Sequence, residues 1–391
     1  MMRLEDFLAP VNESLLQDSS LQEPNRVGNK LRLHREVSGL PDLDGVQVAV
    51  LGVMDDRGST NAGCATAPNA IRTFLYALFW NQWELEAADL GNIYAGETHE
   101  DTLTALQQVC HHLLKAQIIP VVLGGSQDLT YACYRAYDGL EQTVNLAAVD
   151  AQFDLGKQGS PLGNHSYLSH IILRKPYILF NYSNVGYQSY FVDPEERALM
   201  EKMYFDINRL GSLRGQIEEC EPVLRDADLV SFDIGAVRQS DAPGNTFHSP
   251  NGFSGEEACA IARYAGISDK LSCFGLFEGN PQVDPEGRTA HLMAQMIWYF
   301  WEGYAHRKGD YPFARKEDYQ RFTVLIHEGE HELIFYKSPQ SGRWWIEVPL
   351  QDQGGISNAR HQLIPCSFRD YEEACQNELP ERWWQAMKKG V

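Results

Sequence analysis

Apolar and polar positions along this chain follow two alternating rhythms. Short, nearly continuous apolar runs of strand length recur at "VQVAVLGV" (47–54), "IIPVVLGG" (118–125), "NLAAV" (145–149), "YILFNYS" (177–183), "ADLVSFDIG" (227–235) and "SCFGLFE" (272–278). Between them lie stretches with helical spacing. "PNAIRTFLYAL" (68–78) opens on Pro68, at a first helical position. "DTLTALQQVCHHLLKA" (101–116) sets Leu103, Leu106, Cys110 and Leu113 on one face. A helix is expected from 128. "SGEEACAIARYAG" (254–266) carries Ser254 and Glu257 at capping-box spacing, and "RTAHLMAQMIWYFWEGYA" (288–305) reads as a long helix. Strands apolar at nearly every position are buried on both faces. The pattern therefore predicts an α/β fold of three layers, α/β/α, around a mainly parallel sheet.

The rhythm changes near residue 310. "FTVLIHEGEHELIFYKSPQSGRWWIEVPL" (322–350) predicts two strands around the turn "SPQSG", a small antiparallel addition. The expected organisation is an N-terminal segment (1–45), polar and irregular, an α/β domain (46–308) and a C-terminal extension (309–391) with a β-hairpin packed on the main domain.

Within the extension, "HEGEH" (327–331) matches the H-E-x-x-H zinc signature. That chemistry needs a helix, where residues i and i+4 share a face. The flanks "FTVLI" and "ELIFY" favour strand, where such residues stand roughly 13 Å apart. Two histidines so placed do not share an ion with bonds of about 2 Å. The expectation is a polar strand face and no metal.

Composition narrows the function classes. A net charge of −20 argues against nucleic acid and against anionic membrane surfaces. No apolar run approaches the ~18 residues of a membrane span, and "MMRLEDFLAPVNESLLQ" lacks the apolar core of a secretory signal. The eight cysteines are scattered without C-x-x-C spacing. They read as core residues in a reducing compartment, so a cytoplasmic location is expected.

The chemistry gathers at strand ends. In open parallel sheets, ligands bind beyond the carboxyl ends of the strands. "LGGSQD" supplies Ser126, Gln127 and Asp128; "VDAQFD" supplies Asp150, Gln152 and Asp154; "SFDIGAVR" supplies Asp233 and Arg238; "LFEGNP" supplies Glu278. If these strands are neighbours, four or more acids face one crevice.

In order and spacing these segments resemble the ureohydrolases: arginase, agmatinase and formimidoylglutamase. The resemblance runs from about 48 to 305, about two thirds of the chain. "TNAGCATAPNAIR" and "DLGNI" (89–93) resemble the family's approach to its first helix and its Asp-Leu-Gly-Asp-Ile. "LGGSQDLT" is similar to its Gly-Gly-x-His strand end. "VDAQFDLG" resembles Asp-Ala-His-x-Asp, with an ending most like the formimidoylglutamase branch. "SFDIGAVRQSDAPGNTFHSPNGFS" and "FEGNPQVDPEGRTA" resemble the last two motif segments.

The resemblance implies hydrolysis of guanidino or formimino groups by a water held between two manganese ions. Of the six ligand positions it implies, Asp150, Asp154 and Asp233 are kept. Gln127, Gln152 and Gly235 stand where two histidines and an aspartate are expected. Arg238 falls on a further acidic position. Glu278 matches the contact to the substrate's planar cation, and His165 in "SPLGNHSYL" is the nearest match to the site's other histidine.

Neutral amides are weak manganese ligands, and glycine offers no side chain. The expectation is therefore no manganese pair, and either no cofactor or a weakly bound Mn or Mg. Two carboxylates ~4 Å apart repel by about 4 kcal/mol at an effective dielectric near 20. Three remedies are open: a retained proton, a hard ion, or Arg238 forking into the cluster in place of the metals, the last being favoured.

The functional reading is an inactive binding or scaffolding protein. Its expected partners are a small guanidino, formimino or amine ligand, a protein docking on the extension, and a second copy of the chain. The alternatives are an amidine hydrolase with one metal or an altered site, and a different enzyme using Cys64 as nucleophile.

Overall fold

The computed structural model describes residues 3–17, 23–310, 316–349 and 362–389. Nine strands form one sheet: β1 (Arg32–Leu33), β2 (Val48–Met54), β3 (Ala87–Tyr94), β4 (Ile119–Leu123), β5 (Val144–Val149), β6 (Leu179–Tyr187), β7 (Asp206–Arg209), β8 (Leu229–Asp233) and β9 (Cys273–Phe277). Their order is β1-β3-β2-β4-β9-β8-β5-β6-β7, and every pairing is parallel.

Alternation along the strands explains the layers. Val48 and Val50 of β2 join one core with the helices Ala67–Ala77, Gly255–Ile267 and Arg288–Ala305. Ala49, Leu51 and Val53 join the other, with His99–Lys115 and Leu129–Arg135. Each strand thus buries both faces, as the continuous apolar runs require. Ser254 and Glu257 make the expected reciprocal cap on their helix.

Three strands differ from expectation, and the four-residue β7 is too short to carry a period. The polar N-terminal segment supplies β1 at the sheet edge, pairing Arg32 with Ala88 and Leu33 with Asp89. A two-residue strand is too short to carry a period. β3 escaped the apolar reading because its Asp89 and Asn92, both buried, are bonded to Arg72.

A separate antiparallel sheet follows: β10 (Gln320–Ile326), β11 (His331–Lys337), β12 (Trp344–Val348) and β13 (Gln362–Cys366), paired in that order. The run read as one long strand is broken at His327–Gly329, a single tight turn. Ile326 pairs directly with His331, so "FTVLIHEGEHELIFY" is itself a hairpin. Gly329, at φ 94°, admits the reversal that the β-rich flanks concealed.

Arg225, buried beside the main sheet, donates Nη2 to the carbonyls of Trp344 and Cys366, both at 3.0 Å. Its guanidinium also lies over the Trp345 ring. The eight thiols are unpaired, and only Cys375 is exposed. Among the described residues, no helix is long and apolar enough to cross a membrane.

Candidate functional site

The four chemically marked strands are adjacent: β4-β9-β8-β5 form the middle of the sheet. Their carboxyl ends bring Gln127, Glu278, Asp233 and Asp150 to one crevice, and the loop after β5 adds Gln152 and Asp154.

Glu278 is held on three sides. Its Oε1 accepts from the Gln127 backbone N–H at 2.8 Å. Its Oε2 accepts from Ser59 Oγ at 2.8 Å and from Asn61 Nδ2 at 3.3 Å. Asn61 also donates to the Glu278 carbonyl at 2.7 Å, and is itself held by Asn280 at 2.8 Å. Ser59 and Asn61 escaped the sequence reading. They are neutral residues in a Gly-rich loop, and only the polar run "STN" hinted at them.

The aspartates are capped locally. Asp150 Oδ1 accepts from the Gln152 backbone N–H at 2.8 Å, and Asp233 Oδ1 from the Gly235 N–H at 2.7 Å. Asp150 Oδ2 is buried and receives no hydrogen bond from the protein while its neighbour is ionised. The Asp150 and Asp154 carboxyls act on each other, Asp154 raising Asp150. His165 Nδ1 lies 3.2 Å from Asp154 Oδ1, with its ring edge-on to Phe247.

Two of these acids occupy left-handed backbone: Asp154 at φ 53° and Glu278 at φ 65°. Such conformations cost on the order of 1–3 kcal/mol each and concentrate at functional sites.

Burial pushes the carboxyls of Asp150, Asp154, Asp233 and Glu278 above their ordinary range. Like charges raise the aspartates further: Asp154 acts on Asp150, and Asp150 and Glu278 act on Asp233. A raised carboxyl binds its proton more tightly in the folded chain, so these acids lose stability for the protein as pH rises above the ordinary range near 4. Asp154→Asn is therefore expected to stabilise the protein at pH 8 by roughly 1 kcal/mol, about 1–2 °C, with the gain fading toward pH 4. Thermal melts across pH 4–8 check this; an unchanged or lowered melting point at pH 8 would refute it.

Arg238 does not fork into the cluster. Its Nη2 pairs with Asp241 at 3.0 Å, and its side chain is 42% exposed. Asp241 lies one helical turn's spacing away and also receives the Gly255 N–H, so a local partner outcompetes the pocket. The charge is met instead within the pocket, by backbone caps on Asp150 and Asp233 and by burial that favours the neutral form of the acids. The Gln127 side-chain amide goes to Tyr167 Oη at 3.4 Å and Ser231 Oγ at 3.5 Å instead. Gln152 contributes through its backbone: its N–H to Asp150 and its carbonyl to Asn184 Nδ2 at 2.8 Å. Cys64 is fully buried, and burial pushes its thiol far up, with Glu278 adding to the effect. Burial of this kind goes with an inert, structural thiol.

The pocket's donors differ at three positions from the six that the family resemblance implies for two manganese ions. Gly235 offers no side-chain donor, and an added Cβ would stand 3.1 Å from Asp233 Oδ1 and 3.2 Å from Asn245 Nδ2, a tight fit that a small shift of those side chains would relieve. Gln127 and Gln152 offer neutral amides where charged or nitrogen donors are required. What remains is an all-oxygen set of buried acids, suited to protons, to one hard ion, or to an organic cation.

Residues 46–301 match the arginase family. Among characterised relatives, the formimidoylglutamase of Lysinibacillus sphaericus is 24% identical, across 69% of this chain and 90% of its own. That of Aromatoleum aromaticum is 28% identical, across 66% and 82%. The fold is similar to that of Trypanosoma cruzi formiminoglutamase with Mn2+: TM-score 0.65, 21% identity, 72% of this chain and 99% of that one. Bacillus subtilis formimidoylglutamase superposes with a TM-score of 0.62, at 20% identity, over 67% and 88%.

Proposed function

The chain belongs to the arginase family, and from that premise we propose that it is a formimidoylglutamase-like member that binds a small organic cation without hydrolysing it. The observation that carries this is Gly235: a position where the family resemblance implies an acidic ligand has no side chain, and a Cβ there would fit tightly, 3.1 Å from Asp233 Oδ1. The chemistry that two metals supply in a hydrolase is a water made acidic and aimed at the amidine carbon. Among the described residues of the pocket, none is placed to supply that water.

What the pocket keeps is recognition. Glu278 is fixed by Ser59, Asn61 and Gln127, with its carboxylate beside Asp154 and Asp233. A planar guanidinium or formiminium matches a carboxylate with two parallel N–H bonds. An arriving cation would replace the protons on the acids, so binding should tighten as pH rises from 5 to 8.

Calorimetry with agmatine, arginine and formiminoglutamate tests the reading. Glu278→Gln is expected to weaken binding by about 2 kcal/mol or more, since it removes a buried charge partner. With manganese supplied, elemental analysis should find no stoichiometric pair, and no urea or formamide should form. Turnover with one bound ion per chain would favour a single-metal hydrolase instead. Asp150 Oδ2, a buried acceptor without a donor, is the atom that reading would rest on.

A further inference from the structure

The "HEGEH" turn, set aside as a strand, has a geometry of its own. Because the chain reverses between β10 and β11, one ligand atom each from His327, Glu330 and His331 lies within 4.8 Å of the others. The third group is Glu330, in the turn, not the glutamate of the zinc-protease signature. This is a different arrangement from a helical H-E-x-x-H and carries no implication of peptidase chemistry.

Four features prepare the cluster. His327 sits at φ 51°, a left-handed conformation that a residue of its kind adopts at a cost. That twist, with Gly329 at φ 94°, folds the His327 ring back to 6.0 Å from His331. The turn is anchored from outside, since the His327 N–H donates to Asn377 Oδ1 at 2.7 Å. His331 is steadied by an edge contact to Trp383 of the C-terminal helix Glu381–Lys389, 5.8 Å between centroids. Ile326, pairing with His331, is fully buried and holds the base of the turn.

We infer that this turn binds one divalent transition-metal ion, with zinc the best match, through His327, Glu330 and His331. Two imidazoles and a carboxylate are borderline donors that favour zinc, cobalt or nickel over magnesium and calcium. Tetrahedral zinc with bonds near 2 Å needs donor atoms about 3.3 Å apart, which side-chain rotation reaches from the present spacing. Three protein donors leave the fourth position open to water. The bound ion would tie β10 to β11 at a point that also touches the last helix. The site lies on the second sheet and does not depend on how the arginase-like pocket functions.

The test uses the full chain stripped with EDTA, titrated with zinc against a chromophoric chelator and separately with cobalt. Expected are one zinc per chain assigned to this turn, a cobalt d–d absorption band, and a loss of affinity of about tenfold or more in both His331→Ala and His327→Asn. Asparagine tolerates the left-handed backbone, so His327→Asn keeps the turn even if His331→Ala disturbs the Trp383 contact. Asp154→Asn should leave this zinc in place, which separates it from any ion held by the pocket acids. Zinc binding unchanged by both histidine variants would overturn the inference. So would weak, unsaturating uptake, which means an adventitious ion only.

Discussion

Arg72→Met is expected to cost about 3–5 kcal/mol and to lower the urea midpoint sharply. Arg72 is fully buried on the helix Ala67–Ala77. Its Nε and Nη2 take the two oxygens of Asp89 at 2.8 Å each. Nη1 reaches Asn92 Oδ1 at 2.6 Å, and Nη2 also donates to the Gly91 carbonyl at 2.8 Å. Tyr76 donates its hydroxyl to Asp89 at 2.8 Å. Burial by itself would lower the pKa of Arg72, but Asp89 outweighs it and the net shift is upward. Removing the guanidinium strands an ionised carboxylate in the core, a penalty comparable to a typical domain's whole stability margin of 5–15 kcal/mol.

Urea denaturation gives the measurement. Lysine should rescue only partly, because a point charge cannot fork onto Asp89 and reach Asn92 as well. Arg72→Met with Asp89→Leu should be less damaging than Arg72→Met alone, since no charge is then left unpaired. A single variant with an unchanged midpoint would show that the clamp contributes nothing.

His99→Ala is expected to destabilise by roughly 2–4 kcal/mol at pH 6–7, with the gap to the wild type closing above pH 9. His99 bridges two buried carboxylates, with Nε2 2.5 Å from Asp128 and Nδ1 3.2 Å from Asp55. Burial opposes its charge, but hydrogen bonds to Asp128 and Asp55 outweigh that and raise its pKa to about 9. Because the folded value exceeds the unfolded one near 6.5, the stabilisation is complete below pH 6.5 and disappears as pH rises through 9. Arg57 still pairs with Asp55 at 2.6 Å, so the loss falls mainly on Asp128, next to Gln127 in the pocket wall. Thermal melts of wild type and variant between pH 6 and 10 decide it; parallel curves would mean that His99 is not the titrating group.

Much of the fold was legible because burial on both faces leaves a continuous apolar run that needs no context to read. β2, β4, β5, β8 and β9 were found in this way, as was the capped helix at Ser254. β1 and β7 were too short to show a period, and β3 was disguised by Asp89 and Asn92. These two polar residues are tolerated in a buried strand only because Arg72 satisfies them. The segments "TNAGCATAPNAIR" and "DLGNI" were recognised separately as resemblances. Their spatial meaning, one clamp between helix and strand, depends on a contact across 17 residues of chain.

The site divides along the same line. The residue types at the strand ends, Gln127, Gln152 and Gly235 among them, are covalent facts that the sequence by itself determined. It also determined the two-faced burial that produces a parallel sheet. Only the tertiary structure decided that β4, β9, β8 and β5 are neighbours, that Arg238 prefers Asp241 to the acids, and that Ser59 and Asn61 fix Glu278. It also decided that "HEGEH" turns back on itself. The reason is one of range. Periodicity and composition act within a few residues. The partner of a charge is set by which distant groups the packed chain places within a few ångströms.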